Sequence, residues 1–404
     1  MHIVIVGGGA AGFFAAIRAA ELLPGASVQI LERGNAVLSK VRVSGGGRCN
    51  LTHACFSARE LVKNYPRGER ELLGPFHQFS CSDTVEWFES RGVPTKIESD
   101  GRIFPVSNKS LSIIDCLMAA ARNAGVEIHL QHRISDILPP ERPGHPWKIT
   151  VNDKVWATDR LLIATGSSPA IWDILAKLGI AIIPPVPSLF TFNIQDERIR
   201  ELPGLSAPAA EVRIEGSKLK STGPLLITHW GVSGPAILKL SAWGARELCR
   251  YGYHFNLRVN WTGIPLQDLL QRLEAQKNTF PRQQVCGQPM FQLPTRLWRN
   301  LVLACRIPES RRWAELGKKE MQQLVETLGN CRFKVQGKST FKEEFVTAGG
   351  VDLKEINFKT FESKRLPGLF FAGEVLDIDA ITGGFNFQAA WTGGWIAGGA
   401  MAMP

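Results

Sequence analysis

Gly7-Gly8-Gly9-Ala10-Ala11-Gly12 follows the apolar run IVIV at 3–6 and opens a stretch of small, helix-compatible residues. In that setting the GxGxxG spacing has a physical reading. The first glycine allows a tight turn, the second lets backbone approach a pyrophosphate, and the third lets a helix pack closely on the strand. The anion then rests on the helix N-terminus. Twenty residues after Gly12, Glu32 ends the next strand-like run, SVQILE, where a carboxylate can accept ribose hydroxyls. A second glycine-rich stretch, Ser44-Gly45-Gly46-Gly47-Arg48-Cys49-Asn50, carries a cation and an amide on backbone flexible enough to approach a cofactor.

Glu32 would repel a 2′-phosphate, so NADP is disfavoured and FAD or NAD remains. The far end of the chain decides between them. There LFFAGE ends a strand at Gly373-Glu374, and a helix starts near Gly384-Phe385-Asn386. A helix N-terminus at that place can face the pyrimidine edge of a flavin, where negative charge develops on reduction. A plain dehydrogenase has no use for this returning segment, so the reading is FAD. With one complete nucleotide fingerprint in the chain, NADH or NADPH is expected as a transient electron donor.

A flavin carries out hydride and electron transfer itself, and few protein acids or bases are compulsory. Three side chains are candidates for catalysis. His229, in THWGVSGP, is a proton donor by type, and Arg48 and Gln388 are suited to polarising a substrate carbonyl. Cys49 has no second cysteine at redox spacing. No GxSxG elbow, Walker lysine loop or spaced His/Cys/carboxylate metal set occurs, which removes hydrolase, NTPase and metalloenzyme readings.

These residues need elements to hold them. The first thirty residues read as strand, glycine turn, helix from Ala10 to about Leu23, and strand. A polar loop at 34–53 and helical segments at 58–73, 82–91 and 110–123 follow, then strands EIHL, RISDIL and WKITV, and RLLIATG as a strand able to rejoin the first sheet. Pro184, Pro185 and Pro187 interrupt regular structure and mark an exit from the first domain. Beyond them strand-like pieces alternate with helical ones at 266–276, 295–304 and 318–328 until the apolar, glycine-rich character returns. The expectation is an α/β, Rossmann-type FAD-binding domain in two parts, 1–187 and 341–404, with an inserted substrate-side domain of β-strands and helices at 188–340.

The chain has 404 residues, 44% of them hydrophobic, enough to bury two cores. Its eight cysteines form no disulfide framework, no signal-peptide pattern opens it, and no apolar stretch reaches the ~20 residues of a membrane span. A cytoplasmic enzyme with no membrane partner is expected. Residues 191–340 hold 22 of the 47 lysines and arginines but 12 of the 37 acidic residues, so the entire +10 excess lies in the insert. A small-molecule substrate is the first expectation. An RNA-binding or RNA-modifying flavoprotein is the alternative, with affinity that falls steeply with salt.

Together these motifs resemble the BaiN/YhiN-like, or aminoacetone oxidase-like, FAD-binding flavoproteins. The likeness rests on VIVGGGAAG, KVRVSGGGRCNLTH at 40–53, IFPVSNKS at 103–110, THWGVSGPAILKLS at 228–241, TAGGV at 347–351 and ESKRLPGLFFAGEVLDIDAITGGFNFQAAW at 362–391. It implies FAD contacts at Gly7, Gly9, Gly12, Glu32, Arg33 and Lys40, at Ser44, Gly45, Gly46, Gly47, Arg48, Cys49 and Asn50, and at Ile134. It extends them to Ala164, Thr165, Gly166, Gly373, Glu374, Gly384, Phe385 and Asn386. After Gly166 the chain departs from the family pattern, running straight into SSPAIWDILAKLG. Members are described as reductases or oxidases of different small molecules.

Overall fold

A computed structural model describes residues 1–142, 144–339 and 346–403. The chain divides into two compact units, Met1–Val186 with Lys342–Pro404, and Pro187–Phe341.

The first unit is built on five parallel strands in the order Leu369–Phe371, Arg160–Ile163, His2–Val6, Ser27–Leu31 and Glu127–His129, extended at one edge by two short antiparallel strands. Ile3, Val4, Ile5, Leu161, Leu162 and Ile163 are at most 1% exposed, as expected of parallel strands covered on both faces. RLLI does rejoin the first strand, in the register Val6↔Ile163, and LFF adds beside it as Ile163↔Phe371. The sheet therefore draws its neighbouring strands from distant parts of the sequence.

The helices Ala10–Leu22 and Phe385–Met401 pack on each other through small residues. A Cβ at Gly394 would lie 2.4 Å from the Ala11 carbonyl oxygen, and one at Gly398 2.4 Å from that of Ala15. Glycine at these two places sets how closely the backbones approach.

Several elements differ from expectation. The 34–53 loop contains a helix, Ser39–Gly47, that breaks internally at Ser44, Gly45 and Gly46. The single helix expected at 58–73 is two, Ala58–Val62 and Leu73–Gln78, because Pro66 lacks an N–H and Gly68 takes φ +95° between them. A strand at Lys154–Thr158 completes an antiparallel sheet with Ile134–Leu138 and Trp147–Val151. A helix at Pro169–Lys177 starts with proline in its first turn. Pro184, Pro185 and Pro187 do not interrupt structure. They lie in the strand Ile182–Ser188, which pairs with Val346–Val351 in a two-stranded ribbon. Prolines are tolerated in Ile182–Ser188 because, among the described residues, it has a ladder partner on one side only, and Gly349 lets the strands close up, since a Cβ would sit 2.6 Å from Pro185 Cα.

The second unit is a seven-stranded antiparallel sheet, in the order Cys331–Gln336, His254–Asn260, Ser206–Ile214, Lys220–Thr228, Gly231–Ser233, Thr191–Asn193 and Lys338–Ser339. Val212, Leu257, Val259 and Phe333 pack with Trp261, Trp298 and Trp313 in its own core, to which the helices Leu266–Thr279, Thr295–Ala304 and Lys318–Gly329 contribute. Among the described residues no helix is long and apolar enough to cross a membrane.

Candidate cofactor and substrate site

The fingerprint turn separates two kinds of glycine. Gly7 has φ +113°, and a Cβ there would lie 2.4 Å from the Ala164 carbonyl oxygen; at Gly12 it would lie 2.0 Å from that of Gly7. Both are required by the protein's own backbone. Gly9 differs: it caps the helix Ala10–Leu22 in extended geometry, and an added Cβ would meet no protein atom within 4 Å. No side chain caps this helix and no acid lies in its first turn, so the orphan N–H groups and positive dipole end are left for an anion.

Glu32 is held with its carboxylate spread across the turn. Oε2 accepts from Gly8 N at 2.9 Å and Oε1 from Gly34 N at 2.7 Å. Each carboxylate oxygen has a further lone pair for a ribose hydroxyl. Backbone bonds from His132 N to the Glu32 carbonyl, 2.8 Å, and from Gln131 N to that of Gly34, 2.9 Å, bring the approach to Ile134 alongside. Ile134 itself is buried at the head of its strand, and Arg33 is exposed.

Gly45, Gly46 and Gly47 all have positive φ, at +58°, +68° and +83°. Cβ atoms at Gly46 and Gly47 would meet nothing within 4 Å, whereas one at Gly45 would lie 2.9 Å from Asn50 N. Ser44 holds the loop, its hydroxyl donating to the Val41 carbonyl and its own carbonyl accepting from Cys49 N. With its amide turned to satisfy both neighbours, Asn50 accepts from Gly384 N at 2.9 Å and donates to the Thr52 carbonyl at 3.2 Å. That contact ties the loop to the start of the helix Phe385–Met401.

Around that start, Asn386 accepts from Ala380 N and donates back to its carbonyl, closing the turn. The Phe385 ring stacks on His53 at 4.6 Å, and its carbonyl accepts from the buried Tyr65 hydroxyl at 2.6 Å. At the strand ends, Ala164 N bonds the Val6 carbonyl and Ala372 N the Ile163 carbonyl, placing Thr165-Gly166 and Gly373-Glu374 next to the fingerprint. A Cβ at Gly373 would lie 3.1 Å from Ala11 Cβ. Lys40 forms an ion pair with Glu374.

The catalytic candidates fare differently. Gln388 is 0% exposed, and its oxygen accepts from Thr52 and Thr84 hydroxyls at 2.6 and 2.9 Å while its nitrogen donates to Thr392. The expected polarising role is therefore corrected: Gln388 is spent in a buried network. Arg48 pairs with Glu98 at 2.7 Å and lies 4.0 Å over the Phe104 ring, its side chain 35% exposed. The Cys49 side chain is buried, and burial pushes its thiol up to about 12, only partly opposed by a hydrogen bond with Ser44. It is no nucleophile near neutral pH. His229 is exposed in a turn of the second unit, beside Trp230 at 62% exposure. Among the described residues no His/Cys/carboxylate cluster could hold a metal.

His53 and Glu98 are site residues that the motifs alone do not single out. A signal for His53 is present in the LTH that closes the glycine-loop motif; Glu98 carries none, since only the fold brings it to Arg48.

The glycines with open Cβ positions, the uncapped helix and the braced Glu32 fit an anionic dinucleotide lying along the sheet's C-terminal edge. The chain matches the HI0933-like protein Rossmann domain over residues 1–400. It belongs to that family. FAD is accordingly its cofactor, and the protein is an FAD-dependent oxidoreductase. It is 28% identical to the ribosomal RNA dihydrouridine synthase of Escherichia coli (strain K12), over 97% of this chain and 96% of the relative. It is also 28% identical to a 3-dehydro-bile acid delta(4,6)-reductase of Clostridium scindens, over 99% of each. Among solved structures, a 3-ketosteroid-delta4-(5alpha)-dehydrogenase from Rhodococcus jostii RHA1 shares the fold, with a TM-score of 0.51, 15% identity, and coverage of 100% of this chain and 96% of that one.

Proposed function

We propose that this family member is a reductase that takes electrons from NADH or NADPH and saturates a carbon–carbon double bond conjugated to a carbonyl. The observation that carries the reading is the pair of full-length relatives. A dihydrouridine synthase and a delta(4,6)-reductase of a 3-dehydro compound differ in substrate, yet both names describe hydrogen added across such a bond. Bound FAD supplies the hydride transfer itself.

The chain's own part is binding and orientation. Gly9, Gly46 and Gly47 admit the cofactor to backbone, Glu32 takes the ribose, and the Lys40–Glu374 pair and the Asn50–Gly384 contact fix the turns around it. Arg48, held by Glu98, is the cation left for a substrate carbonyl. A buried, protonated Cys49 argues against thiol chemistry.

For the substrate, a uracil base within RNA is favoured over a free small molecule, because the +10 excess is confined to the second unit. The test is anaerobic. The purified flavoprotein is mixed with NADH, then NADPH, and flavin absorbance is followed; the bleached protein is then offered a uridine-containing RNA or an unsaturated 3-keto steroid. Bleaching by one donor, recovery with RNA, and a gain of two hydrogens per modified uridine by mass spectrometry are expected. Recovery with the steroid alone would assign the small-molecule substrate. Flavin that neither donor bleaches would sink the reductase reading.

A further inference from the structure

Beyond the cofactor turns, the chemistry-bearing feature that no function has yet absorbed is the solvent face of the second unit's sheet. The strand Cys331–Gln336 alternates strictly, with Cys331, Phe333 and Val335 buried and Arg332, Lys334 and Gln336 exposed. Its neighbours keep the same phase: Leu257 and Val259 face the core, as do Val212 and Ile214. The register makes Lys220, Arg213, Arg258 and Arg332 successive cross-strand partners, on four adjacent strands and on one face. Lys334, two residues beyond Arg332, stands opposite Asn256 on that same face.

Like charges directly opposite one another destabilise a sheet, and this row is only partly neutralised. Glu215 serves both Arg258, at 2.7 Å, and Arg332, at 3.0 Å, and its carboxyl is held below the usual range first by the hydrogen bond from Arg258. Arg213 donates to a neutral acceptor, Asn330 Oδ1, at 3.0 Å. Lys220 and Lys334 make no ion pair among the described residues. Glu211, opposite Thr222 and Asn260, lies on the same face, so among the described residues of these strands and their turns these five cations stand against two anions, Glu211 and Glu215. A cavity of about 170 Å³ opens beside Arg213 and Arg258, walled by Glu211, Asn260, Pro265 and Asn330.

We infer that this open face is a docking surface for the phosphate backbone of a single RNA strand, with Lys220, Arg213, Arg258, Arg332 and Lys334 as the residues that meet phosphate. Strands ~4.8 Å apart spread the row over roughly 14 Å, a length that spans only a few nucleotides of a single strand. Arginine's planar fork suits phosphate oxygens better than a point charge. The cavity beside the row accommodates a sugar or base of the bound strand. The inference rests on the RNA reading of the substrate given above, and adds to it where the polymer is gripped.

The experiment measures binding of a labelled single-stranded, uridine-containing RNA to the intact flavoprotein by fluorescence anisotropy, between ~50 and ~200 mM salt. The triple variant Arg213→Ala/Arg332→Ala/Lys334→Ala leaves the Arg258–Glu215 pair in place. It should bind at least ~10-fold more weakly at low salt. Each phosphate left without its cation takes about 0.7 from the log–log salt slope of a single strand, so the slope should be shallower by about 2. Lys318→Ala/Lys319→Ala, which removes two charges from the first turn of a helix, should change affinity by much less than two thirds of the triple variant's loss. Lys334→Glu is a single exposed change, with far-UV circular dichroism and flavin absorbance as folding checks, and should weaken binding by itself.

Three outcomes would overturn the inference: no RNA binding by the unaltered protein, triple-variant affinity equal to the unaltered protein's, or an equal loss of affinity in the helix control. Uridine reduction by the unaltered protein that the triple variant retains in full would remove the docking surface and leave the proposed reaction standing. Row-dependent RNA binding without any reduction would leave the surface standing and remove the reaction.

Discussion

At the scale of single residues, Gln388 shows how position changes the meaning of a side chain. A lone glutamine in a helix of small residues reads the same in sequence whether it faces a substrate or a core. Thr392 lies one turn along the same helix, but Thr52 and Thr84, which donate to its oxygen, come from two distant segments, so nothing nearby in the chain announces them. Replacing Gln388 with Leu takes the acceptor from two buried hydroxyls, of which Thr84 keeps the Ser80 carbonyl, as Thr392 keeps that of Phe79, while Thr52 loses its partner. At ~1–3 kcal/mol for an unsatisfied buried group, Gln388→Leu is expected to lose roughly 1–3 kcal/mol of stability by chemical unfolding, while turnover per bound flavin stays unchanged. A large fall in turnover per flavin would restore the catalytic role. Cys49 gives a pH signature. Its unfolded thiol ionises near 9.0 and the folded one near about 12, so in that window the native state holds a proton the unfolded chain has lost. Stability must then fall as pH rises from 9, and Cys49→Ala should make the decline in urea midpoint between pH 8 and pH 10 shallower. Glu32, by contrast, was legible, because a strand-ending carboxylate at fingerprint spacing has few other uses.

At the scale of elements, the parallel strands were legible because apolar runs bounded by glycines leave little else to be. The strand at Lys154–Thr158 was not, since its exposed, mixed composition draws order only from pairing with Trp147–Val151. The proline strand Ile182–Ser188 was misread for a related reason. Proline forbids a central strand, and a sequence does not say that a segment will have a neighbour on one side only. The glycines make the sharpest element-level test, because the helix Ala10–Leu22 meets them in two roles, Gly9 at its own N-terminus and Gly398 of the helix Phe385–Met401 against its packed face. Gly9→Ala meets no protein atom and sits at φ −95°, which any residue adopts, so the protein without cofactor should keep its melting temperature. A methyl there crowds the approaching pyrophosphate, and FAD affinity should fall at least ~10-fold, about 1.4 kcal/mol. Gly398→Val should do the reverse. Its Cβ would lie 2.4 Å from the Ala15 carbonyl oxygen, costing ~1–3 kcal/mol or more by overpacking. The melting temperature should drop even without FAD, and the affinity of the fraction that folds should change little. Equal behaviour of the two variants would mean that the glycines do not divide by role.

At the scale of the whole molecule, the insertion follows from where its ends lie. Thr191 pairs with Ser339 and Phe192 with Lys338, so the chain leaves and re-enters the second unit at neighbouring strands, the arrangement by which one domain is accommodated inside another. That unit carries its own core, with Trp261, Trp298 and Trp313 fully buried. The expected FAD contacts, from Gly7 to Asn386, all belong to the other unit. Ligand linkage acts only on the unit that binds. At an FAD concentration ~100 times Kd the cofactor adds about 2.7 kcal/mol to the first unit's stability, which for a domain of this size raises its melting temperature by roughly 5–10 °C. Calorimetry should accordingly resolve two transitions, one that climbs with added FAD and one that stays. A fragment spanning 187–341 should fold without FAD and melt where the stationary transition does. A single transition that moves as a whole with FAD would show that the insert's stability depends on the cofactor domain, and that adjacent ends and a separate core do not make it independent.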